Sequence, residues 1–184
     1  MIAAAGLPPG RPLLLTGPPA VGKSTIARIL AKRFAPCAVI EVDDVRRMVV
    51  SGAAAPWEAG EGARQTELAA LHTGMLMGSF VGAGFGVVAT DVLLAGAGSV
   101  YAAGPAPPLV VHLGVTLDEA RRRAATRAVH LTDREFLRLY DLERGAEHAH
   151  VRIDATALGL DALTAAVIEA WTGGGGRPAV GPQR

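Results

Sequence analysis

The sequence predicts an α/β fold, a five-stranded parallel sheet with helices on both faces and a small helical lid, and three observations predict it. Short apolar runs recur at 13–16, 38–42, 86–90, 109–113 and 151–153. Segments with helical spacing separate them, and several runs stop on Gly or Asp. Such alternation favours parallel strands covered on both faces, with a ligand crevice beyond their carboxyl ends.

The first run meets a glycine-rich turn, after which 23–34 carries Ile26, Ile29, Leu30 and Phe34 at helical spacing. The second ends on Asp43 and Asp44; 45–50 reads as a short helix with Asp44 placed to cap it. A Gly, Ala and Pro-rich loop at 51–62 leads to a long helix at 63–82, then to the strand that stops at Asp91. Residues 94–108 give no clear pattern. Thr116 with Glu119, and Thr132 with Glu135, have capping-box spacing and open helices reaching about 127 and 144. A final amphipathic helix covers 159–171.

At 184 residues the chain suits one domain, 1–172, with 173–184 as a flexible tail. A net charge of +1 gives no field that would gather nucleic acid or a membrane surface, so neither is expected as a partner. Cys37 is the only cysteine, which excludes an internal disulfide and a cysteine zinc cage. His148 and His150 lack an acidic or cysteine companion at ligand spacing, so no zinc site is expected. Segment 1–10 has no basic n-region and cytoplasmic residence is the expectation. Stretches 68–90 and 92–117 lack charge but are broken by Gly or Pro. The Gly74, Gly78, Gly82 repeat suits close packing of a soluble helix.

The decisive motif is GPPAVGKST, residues 17–25, which matches G-x-x-x-x-G-K-[ST] between a strand and a helix. In such a loop Gly17 and Gly22 let backbone N–H groups converge on phosphate oxygens, and Pro18, Pro19, Ala20 and Val21 complete the cradle between them. Lys23 bridges the outer phosphates, Ser24 holds Mg²⁺, and Thr25 continues the cradle. The domain is therefore expected to have a P-loop NTPase fold.

Three kinds of protein share this cradle: GTPase switches, ATP-driven motors, and small-molecule kinases. The sequence contains no Asn, and Lys32 is its only lysine besides Lys23, so the guanine-reading Asn/Thr-Lys-x-Asp element of switches is missing. Val92 follows Asp91 where motors usually place a water-activating Glu. Transfer to an acceptor hydroxyl is favoured, with ATP or GTP as donor.

Transfer needs a carboxylate to receive the acceptor's proton, and Asp43, on the expected crevice, ranks ahead of Asp44. Asp91 has two roles open, Mg²⁺ binding through water or holding the acceptor, and the choice of base between Asp43 and Asp91 also stays open. Arg123 and Arg127 lie four apart on one helix and could close over the migrating phosphoryl group; Arg121 or Arg122 could instead be solvated or paired with Glu119. Arg46, Arg47, Trp57, Glu61 and Arg64 fall where an acceptor lid could form.

With GPPAVGKST, VDDVRRM at 42–48, VVATDVLL at 87–94, and Arg123 with Arg127, the chain resembles the small-molecule P-loop kinases. The nearest resemblance is to the chloramphenicol phosphotransferase-like group, over about 12–171. It also looks like the tunicamycin-resistance P-loop proteins. The resemblance implies that Asp43 is the base, that IDAT at 153–156 lies near the nucleotide base, and that the acceptor is an antibiotic of nucleoside or chloramphenicol type. Thr90 departs from the pattern, which often has two acids at 90–91, and the loop 51–62 has no clear counterpart. A monomer or homodimer is expected. The alternatives are a housekeeping kinase for a nucleoside, sugar or shikimate-like acid, and a nucleotide-binding regulatory or toxin-like module.

Overall fold

The structure, a computed structural model, describes residues 10–94, 96–126 and 131–173. Five strands, β1 (Leu13–Thr16), β2 (Cys37–Glu41), β3 (Gly86–Thr90), β4 (Leu109–Gly114) and β5 (Val151–Asp154), form one sheet in the order β2-β3-β1-β4-β5. Every adjacent pair is parallel. The chain leaves β1 toward one edge and β3 toward the other, so their carboxyl ends open a crevice at a topological switch point.

Side-chain alternation along β1 divides the interior in two. Leu13 and Leu15 join a core with Ile26 and Leu30 of α1 (Lys23–Arg33) and Val167 and Trp171 of α8 (Leu160–Thr172). Leu14 joins the opposite core with Val45 of α2 (Val42–Arg46), Ala70 and Met77 of α3 (Glu61–Gly82), and Tyr101 of α4 (Ala97–Ala102). On the first face Phe34 and Trp171 meet edge to face with ring centroids 5.3 Å apart, and Trp171 Nε1 donates to the Arg11 carbonyl at 2.9 Å.

Of the glycine repeat of α3 only Gly78 is crowded, since a Cβ at Gly74 or Gly82 would meet nothing within 4 Å. A Cβ at Gly78 would stand 3.0 Å from Pro105 Cγ, just beyond α4. Among the described residues no helix is long and apolar enough to cross a membrane.

Local structure departs from sequence expectation in four places. The helix after β2 begins at Val42 rather than 45 and is preceded by Glu41, so Asp44 is not its cap; Asp43 and Asp44 both lie in its first turn. Acidic groups there still favour the positive helix end. Thr132 and Glu135 form a full capping box at α6 (Asp133–Leu142). Thr116 makes no such box at α5 (Leu117–Ala124), because Glu119 is engaged by Arg122 and Arg123. Two short helices, α4 and α7 (Gly145–His148), stand in segments where the spacing gives no helix.

Candidate active site

The loop between β1 and α1 is a concave cradle because of its torsions. Gly17, Ala20 and Gly22 have positive φ, at 134°, 65° and 110°. For Ala20 this is an uncommon conformation, of the kind that clusters where a loop must shape itself to a ligand. At Gly17 space is limiting as well, since a Cβ would lie 2.2 Å from the Leu113 carbonyl oxygen. No side chain caps the start of α1 and its first turn holds no acid, so its unpaired N–H groups and positive dipole end remain for an anion. Lys23 Nζ folds back onto the carbonyls of Gly17 and Pro18 at 2.7 and 2.9 Å.

On one side of the cradle lies a cleft of about 580 Å³ lined by Val21, Thr25, Arg122, Thr156, Leu158 and Leu163 among others. Its volume and mixed lining suit a nucleoside. Arg123 holds its walls together. The Arg123 guanidinium donates to Val21 O (3.2 Å), Ala155 O (2.6 Å) and Leu158 O (3.4 Å), and its Nε to Glu119 Oε1 (2.7 Å). The structure thus shows Arg123 joining the cradle to the loop after β5. Arg122 pairs with Glu119 at the surface, and Arg127 lies outside the described residues.

On the other side, Asp91 is buried at the end of β3. It accepts from the Tyr101 hydroxyl at 3.1 Å, and its Oδ1 lies 4.0 Å from Arg46 Nη2. Arg46 Nη1 also reaches Asp43 Oδ1 at 3.3 Å, so one arginine bridges the two acids. Burial pushes the Asp91 carboxyl up to about 6, against the opposing pull of Arg46, with the charge of Asp43 adding to the rise. Desolvation and the nearby Asp91 likewise raise the Tyr101 hydroxyl, which keeps it a hydrogen-bond donor. The Asp43 carboxylate is 64% exposed, open to a molecule arriving from solvent, while Arg46 Nε is buried without a hydrogen-bond partner. Asp44 pairs with Arg47 at 2.9 Å and Glu61 with Arg64 at 2.8 Å, both exposed. Trp57 is half-buried and its carbonyl accepts from Arg138 at 3.4 Å, which brings the 51–62 loop against α6.

Several site groups escape sequence reasoning. Glu143, after α6, accepts from Thr16 Oγ1 (3.4 Å) and Gly145 N (2.5 Å), and its Oε2 lies 3.1 Å from His112 Nε2. Burial opposes its ionisation, but His112, the Gly145 N–H and the charge of Lys23 outweigh burial and hold the carboxyl below its usual range. Glu41 accepts from Ser24 Oγ at 3.3 Å and pairs with Arg28. The only sequence signal of Glu41 is that of a polar residue closing an apolar strand; Glu143, at the end of a helix, has none.

A strand-end glycine loop, a lysine folded over it and a helix end free of acid define a P-loop nucleotide-binding protein. The solved structures it resembles share its α/β fold. A sugar kinase from Janibacter matches with TM-score 0.65 at 16% identity, covering 88% of this chain and 93% of that one. Shikimate kinase from Acinetobacter baumannii, in complex with shikimate, matches with TM-score 0.59 at 22% identity over 91% and 94%. APS kinase from Mycobacterium tuberculosis, with AMPPNP and APS, matches with TM-score 0.60 at 16% identity over 88% and 97%. At such identities the likeness establishes the α/β fold alone. The model of the family described as magnesium chelatase, subunit ChlI, matches residues 1–102, more than half of the chain, and the chain belongs to that family. The matched part contains the cradle, Asp43 and Asp91. No curated protein matches the chain.

Magnesium suits the donors present. Ser24 Oγ and carboxylates are hard oxygen ligands, and no group of three or more His, Cys, Asp or Glu among the described residues could hold a metal by itself. A magnesium ion bound mainly by phosphates and water needs only one or two protein ligands.

Proposed function

We propose that the protein is a nucleoside-triphosphate-dependent O-phosphotransferase, using ATP or GTP to phosphorylate a hydroxyl of a small molecule, with an antibiotic of nucleoside or chloramphenicol type as the acceptor. The observation that carries this reading is the Asp43–Arg46–Asp91 chain of charges beside the cradle, which offers an exposed carboxylate to an acceptor near Lys23.

In this mechanism the cradle N–H groups and Lys23 hold the triphosphate. Mg²⁺, when bound, supplies charge neutralisation to the outer phosphates, and Ser24 with Asp91 would hold it. Asp43 takes the proton of the acceptor hydroxyl as its oxygen bonds to the γ-phosphorus and the bond from that phosphorus to the bridging oxygen breaks. Lys23 and the α1 end stabilise the charge that shifts onto the leaving nucleoside diphosphate. Arg46 and Arg47 are already paired with Asp43 and Asp44, which favours an uncharged acceptor over a carboxylic acid. A housekeeping sugar kinase is the nearer alternative for that reason.

An acceptor panel of nucleoside and phenylpropanoid antibiotics, sugars, nucleosides and hydroxy acids, incubated with ATP or GTP and Mg²⁺, tests this by mass spectrometry. One phosphate gained by an antibiotic is the expected result, transfer only to a sugar or acid moves the assignment to the housekeeping class, and no phosphorylated acceptor removes the transferase reading. The family match supports a second reading, a nucleotide-driven or regulatory module without a small acceptor. Phosphate release at the same rate with and without every acceptor would favour it.

A further inference from the structure

We propose that Glu41 is a positioning residue of the magnesium site, a carboxylate that orients Ser24 Oγ for the metal from the face of the sheet opposite Asp91. This rests on the reading of the cradle as a nucleotide site.

Side-chain alternation makes the assignment. In and after β2, Ile40 and Val42 belong to the α3-side core while Val39 packs against the α1-side core, so Glu41 projects toward α1. Its partner across the sheet is Thr90. Asp91, one residue on, lies on the opposite face, where it accepts from Tyr101 and faces Arg46. Among the described residues the acid that meets the P-loop hydroxyl is therefore Glu41, through Ser24 Oγ donating to Oε2 at 3.3 Å. Arg28, one helical turn beyond Ser24, grips Oε1 and fixes the carboxylate.

A hydroxyl whose proton points into a carboxylate turns its lone pairs elsewhere and becomes more electron-rich. A carboxylate behind a metal-bound histidine acts in the same way, and loss of such outer partners weakens metal binding. Ser24 stands in the first turn of α1, where phosphate oxygens would complete the magnesium shell. Glu41 thus supplies orientation without needing to touch the ion.

The test measures affinity for a fluorescent ATP analogue in EDTA and in Mg²⁺, together with the electron paramagnetic resonance spectrum of Mn²⁺ in the nucleotide complex. For Glu41→Gln, metal-free affinity should stay within about two-fold of the parent while the tightening produced by Mg²⁺ falls about ten-fold or more. The Mn²⁺ spectrum should change with it, and Arg28→Met should shift both readouts in the same direction by less. Equal losses with and without metal would mean that Glu41 only supports the fold, and an unchanged Mg²⁺ effect would mean that it does not act on the metal; either overturns the proposal while leaving the phosphotransferase reading intact. A parent protein that binds no nucleotide overturns both.

Discussion

The two walls of the crevice are held by different means. On the side of the cleft Arg123 ties Val21 to Ala155 and Leu158 through main-chain carbonyls, a network with a single titratable acid, Glu119. On the side of Asp91 the ties run between side-chain charges, Asp43 to Arg46 to Asp91 to Tyr101. Main-chain carbonyls keep their position through changes of pH and of neighbouring side chains; charge chains do not. The first wall keeps its shape across such changes, and the second can be retuned by a single protonation or substitution.

Removing the exposed acid should separate the walls most sharply. Asp43→Ala is expected to lower transfer by about 10²–10⁴-fold while nucleotide affinity is retained. Steady-state kinetics beside a nucleotide titration check this, and normal transfer would take Asp43 out of the mechanism.

Protonation of Asp91 comes next. Its carboxyl is raised from 3.8 to about 6 in the folded chain, so the folded state holds this proton more tightly than the unfolded one. The stability it confers is complete below the unfolded value and is lost as pH rises through about 6. Asp91→Asn should abolish that decline and, at neutral pH, stabilise the nucleotide-free protein by up to about 3 kcal/mol. Thermal melts of both proteins across this range decide it; a difference between parent and variant that stays constant from acid to neutral pH would contradict the buried-acid account.

The Arg123 wall should respond least. Arg123→Lys keeps the charge but loses the planar fork, and nucleotide affinity should weaken about ten-fold with no change in its pH dependence. Arg122→Ala removes only an exposed pair and should change affinity by about two-fold or less. Equal effects of the two substitutions would show that the carbonyl network does not shape the cleft.

The sequence carried the sheet better than the site. Strand runs such as 86–90 and 109–113 are dense in β-branched and aliphatic residues, and the cradle has a fixed spacing, so both can be read locally. The helix after β2 shifted because Glu41, three residues before Asp44, precedes its first turn. Glu143 and His112 meet across 31 positions, and Tyr101 reaches Asp91 from a segment with no periodic pattern; such meetings are made by the fold and leave no spacing to detect. Arg123 shows the limit in another way. Its helix and its charge are evident, yet whether a guanidinium faces phosphate or carbonyl depends on where the loop after β5 returns.

β1 works as a ruler. Its three leucines divide between the two cores, with Leu13 and Leu15 on one face and Leu14 on the other, and the glycine that must pass the Leu113 carbonyl follows just beyond Thr16. One inserted residue would exchange the faces and carry the loop about 3.3 Å further along the sheet. Lineages that descend from this chain can alter the crevice walls residue by residue, but the length of β1 must be inherited unchanged, because the same count sets both what fills the interior and where a phosphate can rest.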